Sequence, residues 1–532
     1  MLTQLEPPSS LRTQPSQHSV NSSASHDTGR RLPILRLLIL TAAALAVHGY
    51  YLGVEDGEIY VPAARKLLHP SLYPYATEFF LSHQRLSLFS TILAVTARIT
   101  GLSMDWTLAL WYITTLFATL TACWLLATVS FSSPRARWCS VLVITAVLTM
   151  PATNTGLLLM DPYLTARSFS TPLTLLALVF ILRRKFILAT LTTIVTAAIH
   201  PQMAVYLIVL AALIWIAEKF SSFPQRRGPV LASFALVLPV GFQLQPAPYP
   251  YSEALYARDF YFLYNWTWYH WLGLLAPLVF LVWFWRGNLR GTTPAFRRLS
   301  LALVPFGLLS ILVAAVFATS HNFDMLARLQ PLRCFHLVTF VFMVFLAGVV
   351  GEYVAKDRLW VLPALFLPLA GGMFCAAQQT YPRSAHIEFP WMKTSPNPWL
   401  NTLLWVRHNT PEDAVFAVDS RYFLDPNVDV HGFRANSDRA ALADYFKDGG
   451  VVAMFPALAP EWKQMTNATY GLDHFSKDDF DRLSRQYPVT WTVIHGAAPD
   501  GMECPYQQRG YVVCKIPNAP GLAQSSPVIV GE

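Results

Sequence analysis

Charge is what this sequence has least of. Only 13% of its 532 residues are Asp, Glu, Lys or Arg, roughly half the share of a typical soluble protein, while 54% are hydrophobic. The apolar residues gather in long uncharged runs. A length that would otherwise suggest several globular domains therefore points to a polytopic membrane protein. A mean hydropathy of +0.38 agrees. No Cys or His spacing builds a zinc site, so no metal centre of that kind is expected. A contiguous basic tract is missing as well. The net charge of +8 comes from short Lys and Arg clusters between apolar runs, which argues for a lipid bilayer as partner and against nucleic acid.

Residues 1–29 are rich in Ser, Gln, Pro and Asn and are expected to form a disordered cytoplasmic tail. Arg30, Arg31 and Arg36 then lead into an apolar run at 37–52, which with its flanks can cross a hydrocarbon core about 30 Å thick. A cleaved signal peptide is the rival, because Ala44-Leu45-Ala46 has the small-x-small form of a cleavage site; the long polar leader favours an anchor. Ten further spans follow at 105–129, 139–158, 170–182, 186–199, 203–216, 230–241, 268–285, 299–319, 335–353 and 359–376. Clusters such as Arg135 with Arg137, Arg183-Arg184-Lys185, Arg226-Arg227 and Arg297-Arg298 fall in alternate loops, which assigns those loops to the cytoplasm. The fold class expected is thus a polytopic α-helical membrane protein of about 11 transmembrane helices at 30–384, with its N-terminus inside. A first outer loop at 53–104 and an extracytoplasmic α/β domain at 385–532 complete it. The stretch 79–102, broken by Arg85 and Arg98, is expected to lie along the outer interface; a count in which it crosses and a later pair merges is the alternative.

The outer loops are where chemistry can be sought. Glu55, Asp56 and Glu58 place three carboxylates in four residues directly after the first span, and 59–68 reads as an amphipathic helix on the membrane. Asp161 lies in the next outer loop, with Arg167 before the helix that begins at Ser170. Carboxylates beside hydrocarbon are poorly solvated, so their basicity is expected to rise, as a general base acting on a hydroxyl requires. The plainer alternative is that these acids only solvate their loops.

Asp56 with Tyr60 four residues later, the continuation Ala63-Ala64-Arg65-Lys66-Leu67-Leu68 with Pro70 and Tyr73, and the second acid Asp161 together resemble the GT-C superfamily of membrane glycosyltransferases. The run Trp405 to Ala414 is also similar to the start of the C-terminal domain in several relatives. The resemblance implies an inverting glycosyltransferase that takes sugar from a polyprenyl-phosphate carrier and gives it to a glycan, lipid or protein acceptor, in a bacterial inner membrane. Many relatives carry another acid directly after the catalytic one; here Gly57 stands there, and Glu55 or Glu58 would substitute. The Trp-Trp-Asp motif of oligosaccharyltransferases is missing.

In that frame Asp56, Glu55, Glu58 and Asp161 are the expected catalytic acids, and Tyr60, Arg167, His200, Arg328 and Arg333 the expected substrate contacts. Arg328 and Arg333 read equally as phosphate ligands and as arginines reaching lipid headgroups. His200 reads as a phosphate ligand or a turn residue bonded by backbone. No cofactor is certain, with a divalent cation between Asp56 and Asp161 left open. In the C-terminal domain, a helix at 397–408, a strand at 414–418, a helix at 437–446, a buried strand at 451–455, a Ser476-capped helix and strands at 489–494 and 510–516 are expected. Cys504 and Cys514, flanking a hairpin outside the cytoplasm, are expected to form a disulfide. A transporter or flippase of lipid-linked sugars and a non-catalytic envelope assembly protein are the rivals from other classes; acids clustered at one face, without repeated halves, fit a midplane transport site poorly.

Overall fold

The computed structural model describes residues 32–221, 244–317, 320–355, 358, 360–392 and 394–517. The expected tail at 1–29 and the span at 230–241 lie outside these residues. The chain is mostly helical. In order come α1 (Ile34–His48), α2 (Gly57–Leu68), α3 (Glu78–Gln84), α4 (Phe89–Thr100), α5 (Met104–Ser130), α6 (Pro134–Val147), α7 (Ala166–Leu182), α8 (Phe186–Ile199) and α9 (Pro201–Ser221). Then follow α10 (Tyr251–Tyr256), α11 (Trp268–Arg286), α12 (Pro294–Phe317), α13 (Phe335–Val350) and α14 (Val361–Thr380).

Among the described residues six helical stretches are long and apolar enough to cross a membrane: Met104–Ser130, Pro201–Lys219, Trp268–Arg286, Pro294–Val316, His321–Ala355 and Val361–Thr380. α1, α4, α7 and α8 are apolar but shorter. The stretch containing α13 is 83% buried inside the protein and forms the centre of the bundle, whereas Val361–Thr380 is only 11% buried and turns its apolar surface outward. Local chemistry sets several starts. Ser103 and Ser133 accept from Trp106 N and Ala136 N, and Thr165 forms a reciprocal box with Ser168 at the head of α7.

Two expectations change here, and a third, that 79–102 is no crossing, stands. The span expected at 139–158 is a helix only to Val147; the chain then turns back in a short hairpin, with Leu159 N donating to Met150 O (2.9 Å) and Met160 N to Leu148 O (2.8 Å). The stretch 79–102 is two helices, α3 and α4, neither long enough to span. α2 does not lie free on a membrane: Ile59, Val61, Ala63, Ala64 and Arg65 are all buried, and Arg65 pairs with Asp105 and Asp438. Its apolar face is used between the bundle and the C-terminal domain.

That domain comprises α15 (Pro398–Asn409), β1 (Val415–Ala417), α16 (Phe433–Ser437), β2 (Ala440–Ala441), α17 (Lys447–Met454), α18 (Ala459–Ala468), α19 (Lys477–Gln486), β3 (Trp491–His495), β4 (Tyr506–Gln508) and β5 (Tyr511–Lys515). The sheet order is β2-β1-β3-β5-β4, with β1 parallel to both neighbours and β5 antiparallel to β3 and β4. The helix expected at 437–446 gives way to the end of α16 and to β2, and the strand expected at 451–455 falls largely in α17. The reason is a cap. Asp444 accepts from Lys447 N (2.5 Å) and Asp448 N (3.3 Å), committing the next residues to helix, and the apolar run packs beside Trp462 and Tyr251. Cys504 and Cys514 are joined in a disulfide.

Candidate functional site

The two acidic loops are drawn together by backbone. Tyr51 N, just past α1, donates to Pro162 O at 3.0 Å, fixing the first loop beside the second. His48 anchors the second loop from beneath, bonding Thr149 Oγ1 and Thr145 O, each at 2.9 Å. Glu55 N donates to Val430 O of the C-terminal domain, and Glu55 itself sits at φ +52°, a conformation that costs a non-glycine residue free energy and that recurs at functional sites. This turn delivers Asp56 to the head of α2.

Asp56 and Asp161 meet through one arginine. Arg167 Nη2 lies 2.8 Å from Asp161 Oδ2 and 3.2 Å from Asp56 Oδ2, and Thr165 Oγ1 donates to the same Asp161 oxygen at 3.1 Å. Lys447, at the head of α17, closes the other side: its Nζ is 3.1 Å from Asp56 Oδ1 and is also paired with Glu55. Asp56 retains 25% side-chain exposure and Asp161 only 6%, so the first is the reachable acid.

The electrostatics run opposite to the sequence expectation. Burial pushes the Asp56 carboxyl up, but the charges of Lys447, Arg167 and Arg333 outweigh it and hold the group well below the usual carboxylate range. Burial pushes Lys447 down, and Glu55 with Asp56 more than reverses that. His83, on α3, is pushed down to about 4 by burial, against the pull of Asp56, and so is neutral at pH 7. Burial and Asp56 push Tyr60 up to about 12. His200, between α8 and α9, is lowered to about 3 by burial and by the nearby arginines 167 and 333, which makes it a neutral hydrogen-bonding group rather than a cation.

Not every expected residue arrives. Glu58 faces the C-terminal domain, accepting from Arg434 N (3.0 Å), Arg434 Nε (2.8 Å) and Ala435 N (3.0 Å); with both oxygens committed and only 1% exposure, it is a docking residue and no base. Arg333 acts on Asp56, His83 and Tyr60, and is stacked 5.8 Å over Phe260 with its Nε buried and unbonded. Arg328 is placed near Tyr251 instead. Sequence reading missed three participants: Lys447, His83, and Arg258, which stacks on Phe446 and fits where Gly449 and Gly450 leave space, a Cβ there coming within 3.4 and 3.3 Å of its Nη2. The paired glycines beside Lys447 were the one available signal.

A divalent cation does not fit between Asp56 and Asp161, because the Arg167 guanidinium takes that position. Among the described residues no group of three or more His, Cys, Asp or Glu is arranged to hold a metal ion. The donor set suits an anion: Lys447, Arg167, Arg258 and Arg333 surround three carboxylates, and the Nε atoms of all three arginines are buried without a hydrogen-bond partner. A comparison with protein-family models finds no match, and neither does a comparison with curated proteins.

Proposed function

We propose that this chain is a membrane glycosyltransferase of GT-C type, moving a sugar from a polyprenyl-phosphate carrier to an acceptor on the extracytoplasmic face with inversion at the anomeric carbon. The observation that carries the reading is the meeting of Asp56 and Asp161 on one arginine, with Lys447 and Arg333 alongside, at the end of an apolar bundle. The topology that goes with it has about 11 crossings, a cytoplasmic N-terminus and an extracytoplasmic C-terminal domain, in a bacterial inner membrane.

In the resting protein Asp56 is neutralised by cations and is a weak base. A bound carrier phosphate competes for Lys447, Arg167 and Arg333, and as they turn to it the carboxylate regains basicity. Asp56 then accepts the proton of the acceptor hydroxyl while that oxygen attacks the anomeric carbon. The bond from that carbon to the phosphate oxygen breaks, its electron pair leaving on the phosphate, where the same cations stabilise the charge. Asp161 holds Arg167 in place for both tasks. A transporter or flippase is disfavoured because the charged groups cluster at one rim rather than at a midplane site.

Purified protein reconstituted with a panel of polyprenyl-phosphate sugars should release lipid phosphate, and Asp56→Asn should cut turnover by about 10² to 10⁴. Asp161→Asn should lower it through the loss of Arg167 placement. Unchanged turnover in both variants would remove the assignment, and net movement of intact lipid-linked sugar without phosphate release would favour the transporter.

A further inference from the structure

The C-terminal sheet carries a second concave site, apart from Asp56 and Asp161. β1 and β3 are parallel neighbours, and the chain leaves them in opposite directions, from β1 to β2 on one side and from β3 to the β5–β4 edge on the other. Open sheets leave a crevice beyond the carboxyl ends of strands at such a point. Here it is a cavity of about 200 Å³ lined by Trp399, Tyr511, His495 and three acids, Asp419, Asp425 and Asp473. Tyr511 closes the cavity beside these acids. It is only 3% exposed, its ring is stacked 4.8 Å from His495 and lies 5.3 Å from Trp399, and its hydroxyl is buried without a hydrogen-bond partner. A buried hydroxyl left unmet is a cost that a ligand removes.

The charge of the pocket narrows the ligand. Asp425 faces His495 at 3.2 Å, Asp473 gives one oxygen to His495 N at 2.8 Å, and Arg421 is turned to the rings of Tyr445 and Tyr470. Carboxylates outnumber the cation, so a phosphate or other anion is repelled. Acceptor oxygens, one phenol and aromatic walls match a ring bearing hydroxyl groups. The volume is below the roughly 300–1,000 Å³ of drug-sized sites, which limits the occupant to about one ring. We propose that this pocket binds a single neutral monosaccharide residue of a glycan. The proposal is independent of the chemistry at Asp56, since occupancy is read by binding and not by turnover.

The test is saturation-transfer NMR on the full chain in detergent micelles, with methyl α-D-mannopyranoside, methyl β-D-galactopyranoside and methyl α-D-arabinofuranoside as probes. Transfer to the ring protons of at least one glycoside is expected. It should weaken about tenfold in Asp473→Asn and about threefold in Tyr511→Phe, and persist in Asp56→Asn. Tyr511→Phe should melt no lower than the parent, because the hydroxyl has no partner to lose. Absence of transfer from all three glycosides, equal transfer in parent and both pocket variants, a lower melting temperature for Tyr511→Phe, or binding of spermidine in place of the glycosides would each overturn the proposal.

Discussion

Replacing Lys447 by Met keeps the length of the side chain and removes one charge from the point where the C-terminal domain meets the first loop. The cation stands 3.1 Å from Asp56 and also contacts Glu55. At that separation a full charge pair is worth roughly 5 kcal/mol for an effective dielectric of about 20. Side-chain exposures of 25% for Asp56 and 28% for Glu55 reduce this, and about 2 kcal/mol is the expected loss. Thermal melting of the detergent-solubilised chain should fall by roughly 2 °C. The dependence on pH identifies the cause. Asp56 has a folded-state pKa below its unfolded value, so its contribution is fully present above the unfolded value of about 3.9 and is lost as pH falls toward the folded one. The variant forfeits much of that contribution at every pH. The gap between parent and variant should therefore be widest near neutrality and narrow only once pH falls below the variant's own folded-state value, which lies between the parent's and the unfolded one, by at most about 1.4 kcal/mol per pH unit. Lys447→Arg should restore most of the difference. A gap equal at both pH values would place the effect in packing and refute the electrostatic account.

Three further outcomes follow from particular contacts. Gly432→Ala would put a Cβ 2.2 Å from Glu58 Oε2, so Glu58 must leave the bed where Arg434 and Ala435 hold it; a loss of about 3–5 kcal/mol is expected, read as easier proteolytic release of the C-terminal domain. Cys504→Ser opens a disulfide spanning 10 positions, and chain entropy predicts a cost of about 2.5 kcal/mol, matched by the parent under reductant and by no further loss when the variant is reduced. Asp500 is exposed on the C-terminal domain, so Asp500→Cys, in a Cys375→Ala background that removes the exposed native thiol, should react with a membrane-impermeant reagent on intact cells. Protection of that thiol until the cells are opened would invert the proposed topology.

The membrane character of the chain was legible in its composition, because apolar runs of the required length have few other uses. Of the closeness of Asp56 and Asp161 the sequence carries half, two acidic loops at the same end of the bundle; the backbone bond between Tyr51 and Pro162 that joins them has no signature in it. The polarity of the site was not legible. Hydrocarbon nearby predicts raised basicity, yet the group that reverses it, Lys447, lies 391 positions away in the chain, at the head of a stretch whose sequence reads as strand and whose structure is helix. Short apolar runs such as 451–455 carry no period, and only the Asp444 cap decides that they are helical. That cap is responsive in its own right. Burial and the charge of Asp448 hold Asp444 well above the usual carboxylate range, and Arg434 ties Asp448 to Glu58 on α2. One helix therefore carries both the lysine that quiets Asp56 and Asp448, the acid that holds the docking arginine Arg434. Loosening the dock must withdraw the lysine, so the strength of the base at Asp56 is a property of the assembled interface rather than of the loop that bears it.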